Sequence, residues 1–258
     1  MGPAGYRGLF DLDGRVALIA GGGGALGREV ALGLAAWGAR LVVADLEPGR
    51  AEAVAAAVGD AGGAARALAV DVTRVESVRA LVEGVVAVEE RIDVLVNAAG
   101  VFAVAPAVEL GPETWRRVLD VNLSGVFLLC QAVGRVMLTQ GGGKIVTIAS
   151  VSSAVANPGY AAYAASKGGV AQLTRVLALE WCRAGVQVNA IGPAMTETDL
   201  TRAYLAEPGH RDVVRGRIPA GRLGRPGDLV GAVVFLASAA SDFVTGQTLY
   251  VDGGRTLG

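Results

Sequence analysis

The sequence predicts a doubly wound α/β fold, a parallel sheet covered on both faces by helices. Three observations predict it. Short β-branched runs alternate with longer helical stretches along the chain. Several runs are apolar at every position rather than at alternate ones, the pattern of strands buried on both faces. The first run passes directly into four consecutive glycines and then a helical stretch. In order, residues 15–20 (RVALIA) read as the first strand and 26–37 as the first helix. Arg40–Asp45 (RLVVAD) is the second strand, 50–58 the second helix, 65–70 the third strand and 75–88 its helix. A fourth strand, 93–96 (DVLV), leads to helices over 112–120 and 123–138. The fifth strand, 144–149 (KIVTIA), precedes a long helix over 160–182 and a sixth strand over 187–191. Val230–Ala237 is a late helix and Thr248–Val251 the last strand. Residues 192–225 read as the longest irregular region, and loops of that length are usually functional.

Hydrophobic residues make up 52% of the 258, enough for a sizeable core. No linker or low-complexity segment divides them, so residues 1–258 are expected to form one domain. A net charge of −1 leaves no basic face for nucleic acid. Residues 1–13 hold Arg7, Asp11 and Asp13 and lack the long apolar run of a signal peptide. No 18-residue stretch is expected to be apolar enough to span a bilayer. A cytoplasmic protein with neither nucleic acid nor membrane as partner is therefore expected. Cys130 and Cys182 lack metal-ligand spacing and are expected to be buried free thiols. His210 is the only histidine, which excludes a His-rich metal site, and no metal is expected.

The turn Gly21-Gly22-Gly23-Gly24-Ala25-Leu26-Gly27 joins strand to helix. Glycine there lets the backbone turn sharply and approach a pyrophosphate, and the helix N-terminus offers free N–H groups. The second strand ends at Asp45. A carboxylate there can bind both ribose hydroxyls of NAD and would repel the extra phosphate of NADP; a plain turn cap is the other role open to it. Asp71 and Val72 end the third strand, where adenine would lie. Asn97, Ala98, Ala99 and Gly100 end the fourth. Strand C-termini in such sheets form the ligand crevice, so four elements converge on one edge. NAD is the expected cofactor.

Tyr163 and Lys167 are four apart in a helical stretch and so share a face. A tyrosine titrates near 10, too high for a base at neutrality, and a neighbouring ammonium favours its phenolate by about 1.4 kcal/mol per pKa unit. Lys144 and Lys167 are the only lysines against 21 arginines, which favours a position that needs a compact point charge.

These residues, with Asn122, Ser150, Asn189, Pro193 and the tail Val251-Asp252-Gly253-Gly254, resemble the short-chain dehydrogenase/reductase family over nearly the whole chain. Within it they resemble bacterial NAD-dependent polyol and sugar-acid dehydrogenases and 3-oxoacyl reductases. The resemblance implies a Rossmann-type domain with a seven-stranded parallel sheet, pro-S hydride transfer and a homotetramer. It implies that Tyr163 takes the alcohol proton and that Lys167 lowers its pKa and binds nicotinamide ribose. Ser150, with Ser152 and Ser153 as nearby alternatives, would hold the substrate oxygen, and Asn122 would support a proton-relaying water. Ile191, Thr196 and Thr198 fall where the family anchors the nicotinamide carboxamide. The chain departs from the family pattern at Ala20, Ala25, Ala149 and Ala194; Ala25 adds a methyl group near the pyrophosphate path.

The expected activity is hydride transfer between NAD(H) and a small-molecule secondary alcohol or ketone: a sugar, polyol or sugar acid. Phe102, Val104, Asn157 and a lid over about 194–225 are expected to wall the pocket. The lid carries Arg202, Tyr204, His210, Arg211, Arg215 and Arg217, cations that suit a carboxylate. The alternatives are an NADPH-dependent 3-oxoacyl thioester reductase, which Asp45 opposes, and a non-catalytic dinucleotide sensor. A hydrolase built on Ser150 and His210 lacks the Gly-x-Ser-x-Gly elbow.

Overall fold

Side chains along β1 (Val16–Ala20) alternate between two helical layers. Val16, Leu18 and Ala20 enter one apolar cluster; Ala17 and Ile19 enter the other. Every position is thereby buried, which is why the run lacks polar alternation. The computed structural model describes residues 3–257. Its remaining strands are β2 (Arg40–Asp45), β3 (Ala64–Ala69), β4 (Val94–Asn97), β5 (Gly143–Ile148), β6 (Val186–Pro193) and β7 (Thr248–Val251). Among the described residues these form one parallel sheet of seven strands in the order β3-β2-β1-β4-β5-β6-β7. The order reverses between β1 and β4, and the chain's loops at that point open a crevice.

The helices are α1 (Pro3–Arg7), α2 (Ala25–Ala36), α3 (Pro48–Asp60), α4 (Val75–Glu89), α5 (Pro112–Leu119), α6 (Gly125–Gln140), α7 (Ala161–Trp181), α8 (Asp199–Ala206), α9 (His210–Gly216) and α10 (Val230–Ala237). One face of the sheet packs on α4, α6 and α7 through residues such as Leu81, Leu129, Val133 and Leu177. The other packs on α2, α3 and α10 through Leu34, Val54 and Leu236. Each such side chain, fully buried, contributes about 1.5–3 kcal/mol.

Three expectations need correction. Residues 192–225 are not irregular: they carry α8 and α9, whose Leu205 and Val214 join Val151, Ala194, Ile218 and Leu223 in a third small core. Both helices are short and are separated by Pro208 and Gly209, so neither leaves a long apolar period in the sequence. Next, α5 and α6 run together through a π turn, Asp120–Ser124. The resulting helix, Pro112–Gln140, is long and apolar enough to cross a membrane by length and composition, with a mean hydropathy of 1.5. Its Val126, Leu129, Cys130, Val133 and Met137 are buried against the sheet and its neighbouring helices. Finally, Cys130 is buried as expected but Cys182, just after α7, is exposed.

At the opposite edge of the sheet from the crevice, Asp93 closes the base of β1. Its Oδ2 accepts from Val16 N at 2.9 Å, and Arg91 donates to both carboxylate oxygens at 2.8 and 2.5 Å. Burial opposes the carboxylate's charge, but Arg91, the Val16 amide and Arg15 together hold it below the usual range. A depressed carboxyl contributes stability above its unfolded pKa of about 3.9 and loses it as pH falls through the folded value. Asp93→Asn is expected to cost about 3 kcal/mol at pH 7. Thermal melts from pH 7 to pH 3 should then show the gap between variant and parent closing on acidification.

Candidate active site

The site forms where strand ends and helix starts meet at the C-terminal edge of the sheet. Gly21 leaves β1 with φ +76°, and a Cβ on it would lie 2.4 Å from Ala99 N. A Cβ on Gly27 would lie 2.4 Å from Gly21 O, so helix α2 can start this close to the turn only without a side chain there. Gly24 caps α2 without a side-chain hydrogen bond, leaving the N–H groups of the first turn facing the crevice. Ala25 is the first helical residue, and its methyl lies at the crevice wall. This glycine cradle and uncapped helix start fit a pyrophosphate.

One lobe of the crevice is lined by Gly21, Gly24, Ala25, Leu26, Gly27, Asp45, Asp71, Val72, Ala98, Ala99, Gly100 and Thr198. Asp45 Oδ2 accepts from Gly23 N at 3.0 Å and Oδ1 from Glu47 N at 3.2 Å, so the carboxylate both faces the crevice and braces the glycine turn. Arg50 sits beside it, donating to Gly23 O and within 3.6 Å of Glu47 and 3.7 Å of Asp199. Thr73 donates to Asp71 through both its amide and its hydroxyl and holds that carboxyl below its ordinary value.

The second lobe shares Leu26, Ala98, Ala99, Gly100 and Thr198 with the first and adds Ser150, Tyr163, Lys167, Pro193 and Thr196. Ser150 lies two residues beyond β5 and caps the turn Val151–Ser153, its Oγ accepting from Ser152 N at 3.1 Å. Of the alternative serines, Ser153 turns away to Ser150 O and the Tyr250 hydroxyl, while Ser152 lines the cavity. Burial pushes the Tyr163 phenol up, and a hydrogen bond with the Ser150 hydroxyl works against that. Burial pulls Lys167 down to about 8. Lys167 Nζ donates to Ile148 O at 2.7 Å and lies 5.8 Å from the centre of the Tyr163 ring. The chain's own groups thus do not produce the lowered phenol expected from the Tyr163–Lys167 spacing, because the ammonium is aimed at a carbonyl rather than at the hydroxyl. Asn122, fully buried in the π turn, exchanges hydrogen bonds with both backbone groups of Val101 and donates to Ser166 Oγ. A Cβ on Gly100 would lie 3.4 Å from Asn122 Oδ1 and 4.0 Å from Lys167 Nζ, so the loop after β4 closes directly over both.

Two predicted residues lie elsewhere. Asn97 shares the side-chain parity of Leu95 and turns into the core under α6, donating to Thr147 Oγ1 at 3.1 Å and Cys130 Sγ at 3.4 Å. Ile191 packs in the opposite core layer. Asn189 pins the segment before β7 through Val244 O and Gln247 N. Thr196 bonds Ala194 O, and Thr198 caps α8 in a reciprocal pair with Thr201. Among the expected pocket walls, Phe102, Asn157 and Arg217 line the second lobe. Phe102 meets Tyr160, Tyr163 and Tyr204 edge-on at 5.1, 4.9 and 5.8 Å. Met195 and Ile218 of the expected lid line this wall too; sequence reasoning missed Arg255, which lies in the tail, where there is no periodic signal. Among the described residues no group of His, Cys, Asp or Glu could hold a metal.

A glycine cradle opening onto a half-buried tyrosine and a buried lysine and serine defines a dinucleotide-linked oxidoreductase. The family model described as Enoyl-(Acyl carrier protein) reductase matches residues 23–256. The D-threitol dehydrogenase of Mycolicibacterium smegmatis is 45% identical over 96% of this chain and 95% of its own length. The gluconate 5-dehydrogenase of Gluconobacter oxydans is 40% identical over 96% and 97%. The crystal structure of a gluconate 5-dehydrogenase from Burkholderia cenocepacia J2315, in complex with NADP and tartrate, superposes with a TM-score of 0.95 at 44% identity, covering 98% of this chain and 99% of that one. The chain belongs to the short-chain dehydrogenase/reductase family. It is an oxidoreductase that acts on the CH–OH group of its donor by hydride transfer with a nicotinamide dinucleotide.

Gly21→Ala is expected to weaken dinucleotide binding at least about tenfold, since both its φ and the Ala99 contact forbid the methyl group. Titration of NADH fluorescence measures this; unchanged affinity would show that the turn can open without loss.

Proposed function

We propose that this chain interconverts a secondary alcohol and a ketone on a polyol or sugar acid, with NAD preferred to NADP. The observation that carries the proposal is the meeting of Ser150, Tyr163 and Lys167 on the wall of a cleft that runs on into the glycine cradle. The bound dinucleotide supplies the hydride acceptor for oxidation and the donor for reduction. Tyr163 takes the hydroxyl proton as hydride leaves the carbon and returns it in the reverse direction. Ser150 donates to the substrate oxygen as charge develops on it. Lys167 holds a positive charge beside the phenol below about pH 8 and binds nicotinamide ribose. Asn122 keeps the loop after β4 in register with Lys167 and supports the proton relay. Gly21, Gly24, Ala25, Leu26 and Gly27 would hold the pyrophosphate, Asp71 and Val72 the adenine, and Pro193, Thr196 and Thr198 the nicotinamide. The backbone of 97–100 closes over the dinucleotide, while the Asn97 amide braces that strand end from below.

Residues 194–225 serve as the substrate lid of one domain spanning 1–258. The working assembly is a cytoplasmic homotetramer; exposed Val176 and Leu179 on α7, with Phe243, support association. Relatives at 40–45% identity are named for threitol and gluconate, which favours this reading over 3-oxoacyl thioester reduction. Intact Ser150, Tyr163 and Lys167 disfavour a non-catalytic sensor.

The cofactor preference rests on charge. Asp45 and Glu47 set two carboxylates at the ribose end, and Arg50 is shared between Glu47 and Asp199. A 2′-phosphate would be repelled there. The Burkholderia neighbour holds NADP, so the preference needs a direct measurement. NADH should bind at least about tenfold more tightly than NADPH, about 1.4 kcal/mol, and Asp45→Asn should narrow the gap. Tighter NADPH binding by the parent would reverse the assignment.

Tyr163→Phe should keep dinucleotide affinity and lose at least about 100-fold in turnover; near-normal turnover would sink the mechanism. The raised phenol also sets a pH dependence. Reduction needs the protonated phenol, abundant at neutral pH; oxidation needs the phenolate, which grows as pH rises. Ketone reduction should therefore hold level from pH 6 to 7.5, while alcohol oxidation climbs toward alkaline pH. Oxidation fastest below pH 7 would contradict the assignment of Tyr163 as base.

A further inference from the structure

The side-chain hydroxyls that line the second lobe divide into two kinds. Most already have a partner. Ser150 Oγ accepts from Ser152 N at 3.1 Å, and its hydroxyl meets the Tyr163 phenol. Tyr160 meets Tyr204, Thr196 donates to Ala194 O at 3.0 Å, and Thr198 and Thr201 meet each other at 3.2 Å. Ser152 lines the same lobe, yet its Oγ bonds to no described residue. Ser152 as a whole is only 8% exposed. Its hydroxyl is not sealed in the core either, because among the described residues the one enclosed side-chain polar atom without a partner is Asn97 Oδ1. Ser152 Oγ therefore opens onto the cavity that holds Ser150 and Tyr163.

The backbone fixes this hydroxyl in place. The turn Val151–Ser153 follows Ser150 directly. Ser153 returns to Ser150 O through its amide at 3.0 Å and its hydroxyl at 2.7 Å, and its Oγ also meets the Tyr250 hydroxyl at 3.1 Å. Ala154 N and Val155 N both donate to Val151 O, at 2.9 and 2.8 Å. The Ser152 amide, bonded to Ser150 Oγ, sets the two serine hydroxyls about one side chain apart and leaves the Ser150 proton to be given elsewhere. The aliphatic side chains of the cavity, Val151, Met195, Val214 and Ile218 among them, offer the Ser152 hydroxyl no partner.

We propose that Ser152 is a second substrate-binding residue, that its hydroxyl takes the oxygen on the carbon next to the reacting one, and that the substrate is a vicinal diol. This inference rests on the secondary-alcohol reading above and narrows it. A substrate whose reacting oxygen lies on Ser150 and Tyr163 brings its neighbouring hydroxyl within reach of Ser152, since a single hydrogen bond joins the two serines. A serine hydroxyl both donates and accepts, as an alcohol does, so the two satisfy each other whichever way the proton points. A site built to bond a hydroxyl discriminates against the analogue that lacks it, because its own polar group is then left unpaired.

The experiment compares butane-1,2-diol with butane-1,3-diol as substrates for the intact enzyme with its dinucleotide. The two are isomers with a single secondary alcohol each, and only the first carries its other hydroxyl on the adjoining carbon. The parent should favour the 1,2-diol in kcat/KM. In Ser152→Ala the preference for the 1,2-diol should fall about tenfold or more, through a higher KM for that diol. Ser152→Cys, which keeps the shape but bonds weakly, should follow Ser152→Ala. Both substrates are read on one sample, so loss of folded protein cancels from the ratio. A parent that favours the 1,3-diol overturns the subsite. So does a ratio unmoved in Ser152→Ala, including an equal fall on both diols, which would place the effect of Ser152 on Ser150 or on the fold. If neither diol is turned over, these compounds lend the secondary-alcohol reading no support, and the subsite is read separately from the affinity of D-threitol for the enzyme–NADH complex. Weakening of about tenfold or more in Ser152→Ala supports it; equal affinity, or no binding to the parent, overturns it.

Discussion

At the end of β1 the backbone of Gly21 lies so close to the loop after β4 that a Cβ would sit 2.4 Å from Ala99 N. That contact joins two neighbouring strand ends at the point where the order of the sheet reverses. Much of the cleft follows from it. With Gly21 against Ala99, α2 must begin within four residues, and Gly27 must lack a side chain to pass Gly21 O. Ala98 N, paired with Ala20 O at 2.8 Å, continues the sheet into the loop and brings Gly100 over Lys167 and Asn122. One steric constraint therefore links the cradle to Lys167 and Asn122.

Beneath that roof Tyr163 and Lys167 are held at an energetic cost. Burial disfavours the charged forms of both Tyr163 and Lys167, raising the phenol and lowering the ammonium. The chain compensates with fixed partners. Ile148 O accepts from Nζ, Ser150 bonds the phenol, and Asn122 ties the π turn to Val101 and Ser166. At neutral pH this leaves a protonated phenol beside a protonated amine, a resting state set for proton donation. The π turn earns its place here, since one wider turn carries the Asn122 amide inward while α6 still faces the sheet.

Strands and the Tyr163–Lys167 spacing were legible in the sequence because each depends on local rules. Apolar runs mark strands buried on both faces, the i,i+4 pair puts Tyr163 and Lys167 on one helix face, and Ser150 follows from the end of β5. Side-chain direction at strand ends was not. Asn97 was expected in the crevice, yet its parity with Leu95 turns it to Cys130, and Ile191 turns to the opposite core for the same reason. Helices α8 and α9 escaped notice because their few apolar residues pack on a small satellite core rather than the sheet. Arg255 escaped because its position depends on a tail turn held by Asp252, a contact with no periodicity.

The distribution of charge in the lid explains how one segment serves both folding and recognition. Four of its arginines meet carboxylates within 14 positions along the chain, so these four charges are balanced within residues 197–228. Exposed pairs of this kind contribute only about 0–1 kcal/mol each, and their larger effect is on the field. By neutralising one another on the outer surface they leave the cavity's potential to the groups that line it. Those include Lys167 and Arg217, with Phe102, Val214 and Ile218 among the aromatic and aliphatic side chains on the same walls.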